Sequence, residues 1–107
     1  MGYEVSFGLR KNGNTAPMLD DGIELGNARD FGPIIGEVLY NKLNLERVGN
    51  NPYYTLIPKD KFIEAYEIIS SMQVKGQDNE EYRQIIFNCM TELFKYLDTH
   101  EIWYVYE

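Results

Sequence analysis

Cysteine and histidine are almost missing from this chain, which holds one of each, Cys89 and His100. A single Cys excludes an internal disulfide. One Cys and one His cannot supply the thiolates and imidazoles of an ordinary zinc site. Long hydrophobic runs are missing too. The longest stretch free of Asp, Glu, Lys and Arg covers residues 48–58 and holds two Asn, two Pro and a Gly. A membrane-spanning helix needs about 18–20 apolar residues, so none is expected. The opening Met1-Gly2-Tyr3-Glu4 has neither a basic n-region nor an apolar h-region, so no signal peptide is expected. Positive charge is scarce: 10 Lys+Arg stand against 17 Asp+Glu, for a net charge of −7. Residues 76–107 carry only Arg83 and Lys95 against seven acidic side chains. Phosphate-binding surfaces gain affinity by releasing counterions to Lys and Arg, so neither direct nucleic-acid binding nor attachment to an anionic membrane is expected. The acidity leaves two readings, a solvated surface and a surface steered toward a basic partner.

The 107 residues suffice for one domain, and 44% hydrophobic with 25% charged residues is a globular composition. Residues 3–9 alternate, with Tyr3, Val5, Phe7 and Leu9 on one side, which predicts a strand with one buried face. Asn12-Gly13 signals a turn. Across 15–27, Pro17 and the Asp20-Asp21-Gly22 turn signal predict irregular or edge structure with a brief Ile23-Glu24-Leu25. Phe31, Ile34, Ile35, Val38, Leu39 and Leu43 then trace one helical face, with Asp30 as N-cap and Pro33 in the first turn. Gly36 inside that helix suggests a close approach by a neighbouring element. Residues 48–52 read as a loop and Tyr53-Tyr54-Thr55-Leu56-Ile57 as a strand. A second helix opens after Pro58, with Phe62, Ala65, Tyr66, Ile69 and Met72 inward. Asp78 and Glu81 have capping-box spacing for a third. Its apolar face runs Tyr82, Ile85, Ile86, Cys89, Met90, Leu93, Phe94, Leu97. Ile102-Trp103-Tyr104-Val105-Tyr106 closes the chain as a strand.

Two terminal strands this apolar must be paired and covered. The expected fold is therefore a single α+β domain over 1–107. A small antiparallel sheet pairs the N- and C-terminal strands, and helices at about 30–45, 59–73 and 79–98 pack on it.

Few residues point to catalysis. Cys89 sits within the apolar face of the third helix, where a free thiol is a small hydrophobe and is expected to be buried and unreactive. His100 follows a helix end, where an imidazolium suits the dipole. Asp60, Glu64 and Glu67 share a face opposite the apolar stripe and read as solvated. Gly22, Gly26, Gly32 and Gly36 match neither a Walker loop nor a dinucleotide fingerprint. Gly26, Asn27 and the following turn are still able to offer N–H groups to an anion. No catalytic residue, metal or cofactor is expected.

Tyrosine is over-represented, with nine copies. Tyr3, Tyr66, Tyr82 and Tyr104 occupy periodic positions and are expected in or beside the core. Tyr40, Tyr53, Tyr54, Tyr96 and Tyr106 are harder to bury by pattern. Tyrosine offers contact area and a polar tip at low entropic cost, and loops such as Gly49-Asn50-Asn51-Pro52-Tyr53-Tyr54 resemble recognition loops. An inert tyrosine-rich surface produced by codon bias is the competing reading, since Tyr, Asn and Ile are common and Ala occurs three times, as in AT-rich genomes. The candidate protein-interaction residues are Asn50, Asn51, Tyr53, Tyr54, Tyr40, Tyr96, Glu92 and Asp98.

The opening Met1-Gly2-Tyr3-Glu4-Val5-Ser6-Phe7, the apolar helix ahead of a Pro-led second one, and the terminal Ile102-Trp103 resemble a group of small phage and mobile-element proteins that begin Met-Ser-Tyr-Asp-Ile. The glycine-rich Gly-Gly-Thr-Tyr segment of that group is replaced here by Gly22-Ile23-Glu24-Leu25-Gly26. The resemblance implies a phage setting, hence the cytoplasm of a bacterial host, and no activity. Three functions are compatible with these features. One is a non-enzymatic module that binds a host protein with a basic surface, for example as an acidic inhibitor of a defence enzyme. Another is a self-assembling homo-oligomer. The third is a small-ligand binder or enzyme built on the 22–33 glycine segment.

Overall fold

The computed structural model describes residues 3–13, 21–50 and 52–107. Five strands form one antiparallel sheet: β1 (Glu4–Lys11), β2 (Asp21–Asn27), β3 (Val48–Gly49), β4 (Tyr53–Ile57) and β5 (His100–Tyr106), in the order β2-β1-β5-β4-β3. The N- and C-terminal strands are neighbours, as expected, with Phe7 opposite Tyr104 and Leu9 opposite Ile102. β5 is the middle strand, paired along both edges by β1 and β4. The fold is α+β.

Helices α1 (Ala28–Gly36), α2 (Lys59–Ser71) and α3 (Gln77–Leu93) cover one face of the sheet. Strand alternation sends Val5, Phe7, Leu9, Ile57, Ile102 and Tyr104 to that face, where all are buried. Phe7 and the helix residues Ile35, Val38, Leu39, Ala65, Ile69, Ile86 and Met90 belong to one buried cluster between sheet and helices. Every residue of the stripe expected from Phe31 to Leu43 is buried. Among the described residues, no helix is long and apolar enough to cross a membrane.

Several local expectations are corrected. Asp21 and Gly22 are not a turn; they open β2, an edge strand whose backbone groups are satisfied on one side by β1. Residues 14–20 lie outside the described part. The first helix starts two residues early, because the Asn27 side chain accepts the Arg29 N–H at 3.0 Å, so Asn27 and not Asp30 is the cap. Pro33 therefore sits beyond the first turn. The helix continues as a π-helical segment, Glu37–Lys42, with the Leu43 N–H bonded to the Val38 carbonyl at 3.0 Å. Asn44 (φ 55°) then reverses the chain. A Cβ at Gly36 would meet only the Tyr40 ring, at an ordinary 3.7 Å, so no close approach explains that glycine. Gly26 is different: its φ of +144° and the Phe31 ring 3.0 Å from a built Cβ both require glycine where β2 turns into α1.

In the third helix the capping box does not form. Gly76 is the N-cap, Asp78 lies inside the first turn, and the helix gives way to a 3₁₀ turn at Phe94–Tyr96. The buried line is Ile86, Met90 and Leu93, whereas Ile85 is 42% exposed. Cys89 is partly buried at the margin. His100 begins β5, with its Nδ1 2.7 Å from the Thr99 hydroxyl, and does not cap a helix. The expected loop at 48–52 contains β3, whose two residues pair with Tyr53 and Tyr54.

Candidate functional site

The sheet register brings tyrosines together at the end where β5 finishes. Tyr106 lies opposite Val5 on one side and Tyr53 on the other. Its ring stacks on Tyr53 at 4.5 Å and 12°, and Tyr3 tilts against it at 5.4 Å. The Arg47 guanidinium lies 4.9 Å from the ring centres of both Tyr40 and Tyr53, an arrangement favoured by the ring quadrupoles. The Tyr40 hydroxyl is 2.7 Å from Thr55 Oγ1, in a fully buried position on β4. Burial, with help from Tyr40 and Tyr106 and against the pull of Arg47, pushes the Tyr53 phenol up to about 12. Burial likewise raises Tyr104, beside Thr55. These phenols stay neutral under ordinary conditions and keep their donors. Arg10, Arg29 and Arg83 each pair with a carboxylate, on Glu101, Asp30 and Glu80. Arg47 has no such partner among the described residues. Tyr3 is 50% exposed, so its expected place beside the core is corrected: it tops the ladder from outside.

The sheet face away from the helices is divided. Toward the start of β5, the Arg10 guanidinium lies 5.3 Å from the Trp103 ring centre and bonds Glu101 at 2.6 Å, closing that half with matched charges. Toward the end of β5, the residues on this face are small, namely Ser6, Gly8 and Gly22. They leave a cavity of about 410 Å³. Val105, 5% exposed, and Tyr54 give it apolar surface. Glu24 and Glu107 give it carboxylates, and no Lys, Arg or His is among its described lining residues. Such a site favours a cation with an apolar stem, the description of a Lys or Arg side chain.

The expected interaction residues therefore separate. Tyr40 and Tyr53 join the tyrosine ladder, and exposed Asn50 sits in the adjoining β3–β4 turn. Tyr54 lies on the opposite sheet face, in the cavity wall. Asn51 lies outside the described residues. Tyr96, Glu92 and Asp98 are at the other end of the sheet: Tyr96 packs edge-on against His100, Glu92 pairs with Lys95 at 3.3 Å, and Asp98 pairs with Lys59. Those two carboxylates are already matched. Tyr3, Arg47 and Tyr106 of the ladder, and Glu24 and Glu107 of the cavity, were missed as site residues. Their meeting depends on strand register, which period-two alternation does not encode.

Catalytic groups do not converge here. Burial, followed by the charge of Glu92, raises the Cys89 thiol, the opposite of an activated nucleophile. Asn27 occupies the Arg29 N–H with its own side chain, so the turn considered for an anion is already capped. Among the described residues, no group of three or more His, Cys, Asp or Glu is placed to hold a metal ion. No protein-family model matches the chain, and no curated protein or solved structure is significantly similar to it.

Proposed function

We propose that the chain is a non-enzymatic protein-binding module that occupies a basic surface of another protein. The observation that carries this reading is the tyrosine ladder of Tyr3, Tyr106 and Tyr53, capped by Arg47, on the same sheet end as an acidic cavity. Aromatic side chains held by stacking lose little entropy on binding, and a few such anchors dominate interface energies. The acidic rim steers approach by a cationic partner. The resemblance to small phage proteins and the AT-rich residue usage support a phage or mobile-element origin and a host protein in the bacterial cytoplasm as the target. A defence enzyme with a basic nucleic-acid channel is the form of target that fits the charge.

The test immobilises the chain and its Tyr3→Ala variant and compares proteins retained from bacterial lysate. Tyr3 is half exposed, so the variant keeps its fold and its melting temperature. A basic protein held by the native chain, released at high salt and lost in the variant supports the reading. Equal retention by both chains overturns the ladder's role. A doubling of solution mass that Tyr3→Ala abolishes would assign the ladder to self-assembly instead.

A further inference from the structure

Among the described residues β2 is an edge strand, and its outer side carries hydrogen-bonding groups that none of them pairs. Glu4 and Glu107 exchange two backbone bonds, at 2.7 and 2.9 Å. The even-numbered residues of β1 therefore face β5, and the odd-numbered ones face β2. Phe7 accordingly bonds Ile23, and Leu9 bonds Asp21, their register partners. Gly22 and Glu24 turn their backbone groups outward. The Gly22 N–H is closed off by the Asp21 carboxylate at 2.8 Å, leaving the Glu24 N–H and the carbonyls of Gly22 and Glu24. Among the described residues, no strand lies beyond β2 in the sheet.

Resting on the protein-binding reading above, we propose that this edge accepts an extended, basic segment of the partner as a sixth strand. Main-chain bonds to Gly22 and Glu24 supply the pairing. An Arg or Lys of the added strand crosses Gly22 into the cavity, where Glu24 and Glu107 meet its charge and Tyr54 its stem. Gly22 leaves that passage open, and it cannot be otherwise: a Cβ there would lie 2.6 Å from the Phe7 carbonyl oxygen. A second copy of this chain is a poor occupant. Pairing β2 with itself would set Asp21 and Glu24 against their like in an already acidic protein. Charge complementarity selects a basic strand.

The probe is a fluorescent peptide alternating arginine and valine, followed by anisotropy at physiological salt. Three comparisons accompany it: the same peptide with glutamate for arginine, the arginine peptide N-methylated at alternate residues, and the Glu24→Lys chain. Binding should fall at least about tenfold in each. The arginine peptide should also slow deuterium exchange at the Glu24 N–H. Equal binding of the N-methylated peptide would show plain charge attraction and overturn strand addition, as would unchanged exchange at Glu24. Equal binding by Glu24→Lys would place the peptide elsewhere. If the peptide fails while a lysate partner is still lost in Tyr3→Ala, strand addition falls and the protein-binding reading stands.

Discussion

Replacing Tyr40 by Phe removes one oxygen, yet it should cost more than replacing the Thr55 it touches. Thr55 is 0% exposed, and the Tyr40 hydroxyl, 2.7 Å away, is its hydrogen-bond partner. In Tyr40→Phe the threonine hydroxyl stays buried without a partner, a loss of about 1–3 kcal/mol. In Thr55→Val the shape of the side chain is kept, and the partly exposed phenol recovers water, so the loss should stay below about 1 kcal/mol. The double variant leaves no orphaned hydroxyl at Thr55, since both ends of that bond are gone. It should be more stable than Tyr40→Phe alone, with a coupling of about 1–2 kcal/mol between the sites. Urea titration reads these differences directly, with unchanged slope. For a domain of this size the melting temperature should move by about 4–8 °C for each kcal/mol. If Tyr40→Phe is neutral, or if the two losses simply add, the hydroxyl pair does not hold the π-helical segment to β4, and the ladder's inner end is not fixed as described.

Alkaline stability should follow the buried phenols. Tyr53 is raised from 10.0 to about 12 in the folded chain, so its contribution is complete below pH 10 and is lost as pH rises toward 12; tyrosinate absorbance in native and urea-unfolded protein checks this, and coincident titration curves would refute it. Arg83 donates to the Ile69 carbonyl at 2.8 Å while held by Glu80, and the last turn of α2 contains no basic residue of its own. Arg83→Gln should therefore lose about 1–2 kcal/mol in chemical unfolding. Removing residues 102–107 takes out most of the middle strand, so β1 and β4 lose their common partner along with buried Tyr104. The truncated chain should show no cooperative melt; a melt within a few degrees of the full chain would make β5 an appendage.

The sequence reveals the elements whose two faces differ sharply. β4 has the expected bounds, and α2 ends within two residues of its expected limit, because burial on one side imposes a clean period. β2 was obscured by Asp21 and Gly22, residues common in turns that an edge strand also tolerates, since only one side of its backbone must be paired. The α1 start was displaced by Pro33. A first-turn proline is the cheapest placement, but Asn27 and Asp30 are both good caps, and packing of Phe31 against Gly26 favours the earlier one. In α3 the six expected apolar positions, Tyr82 to Leu93, span a wider arc than the sheet and α2 can cover, so Ile85 is left outside. The candidate site was half visible. Tyr40 and Tyr53 stood out because pattern does not bury them. Tyr3 was hidden by its correct parity, which names the face but not whether the strand end is covered.

Charge was the least faithful guide to place. The excess of carboxylates in residues 76–107 suggests a solvated surface or one steered toward a basic partner, but the fold spends several of them on local cations: Glu80 on Arg83, Glu92 on Lys95, Asp98 on Lys59 and Glu101 on Arg10. Ion pairs at helical spacing form wherever the geometry allows, and exposed ones contribute at most about 1 kcal/mol. What they change is the field outside the molecule, which is left strongest where carboxylates have no cation beside them. Glu24 and Glu107 come from two places in the chain, β2 and the residue after β5, and line one cavity because β1 lies between β2 and β5. The cavity beside Tyr54 is one place where that field persists, and Asp78 and Glu81 in the first turns of α3, which make no ion pair among the described residues, are another.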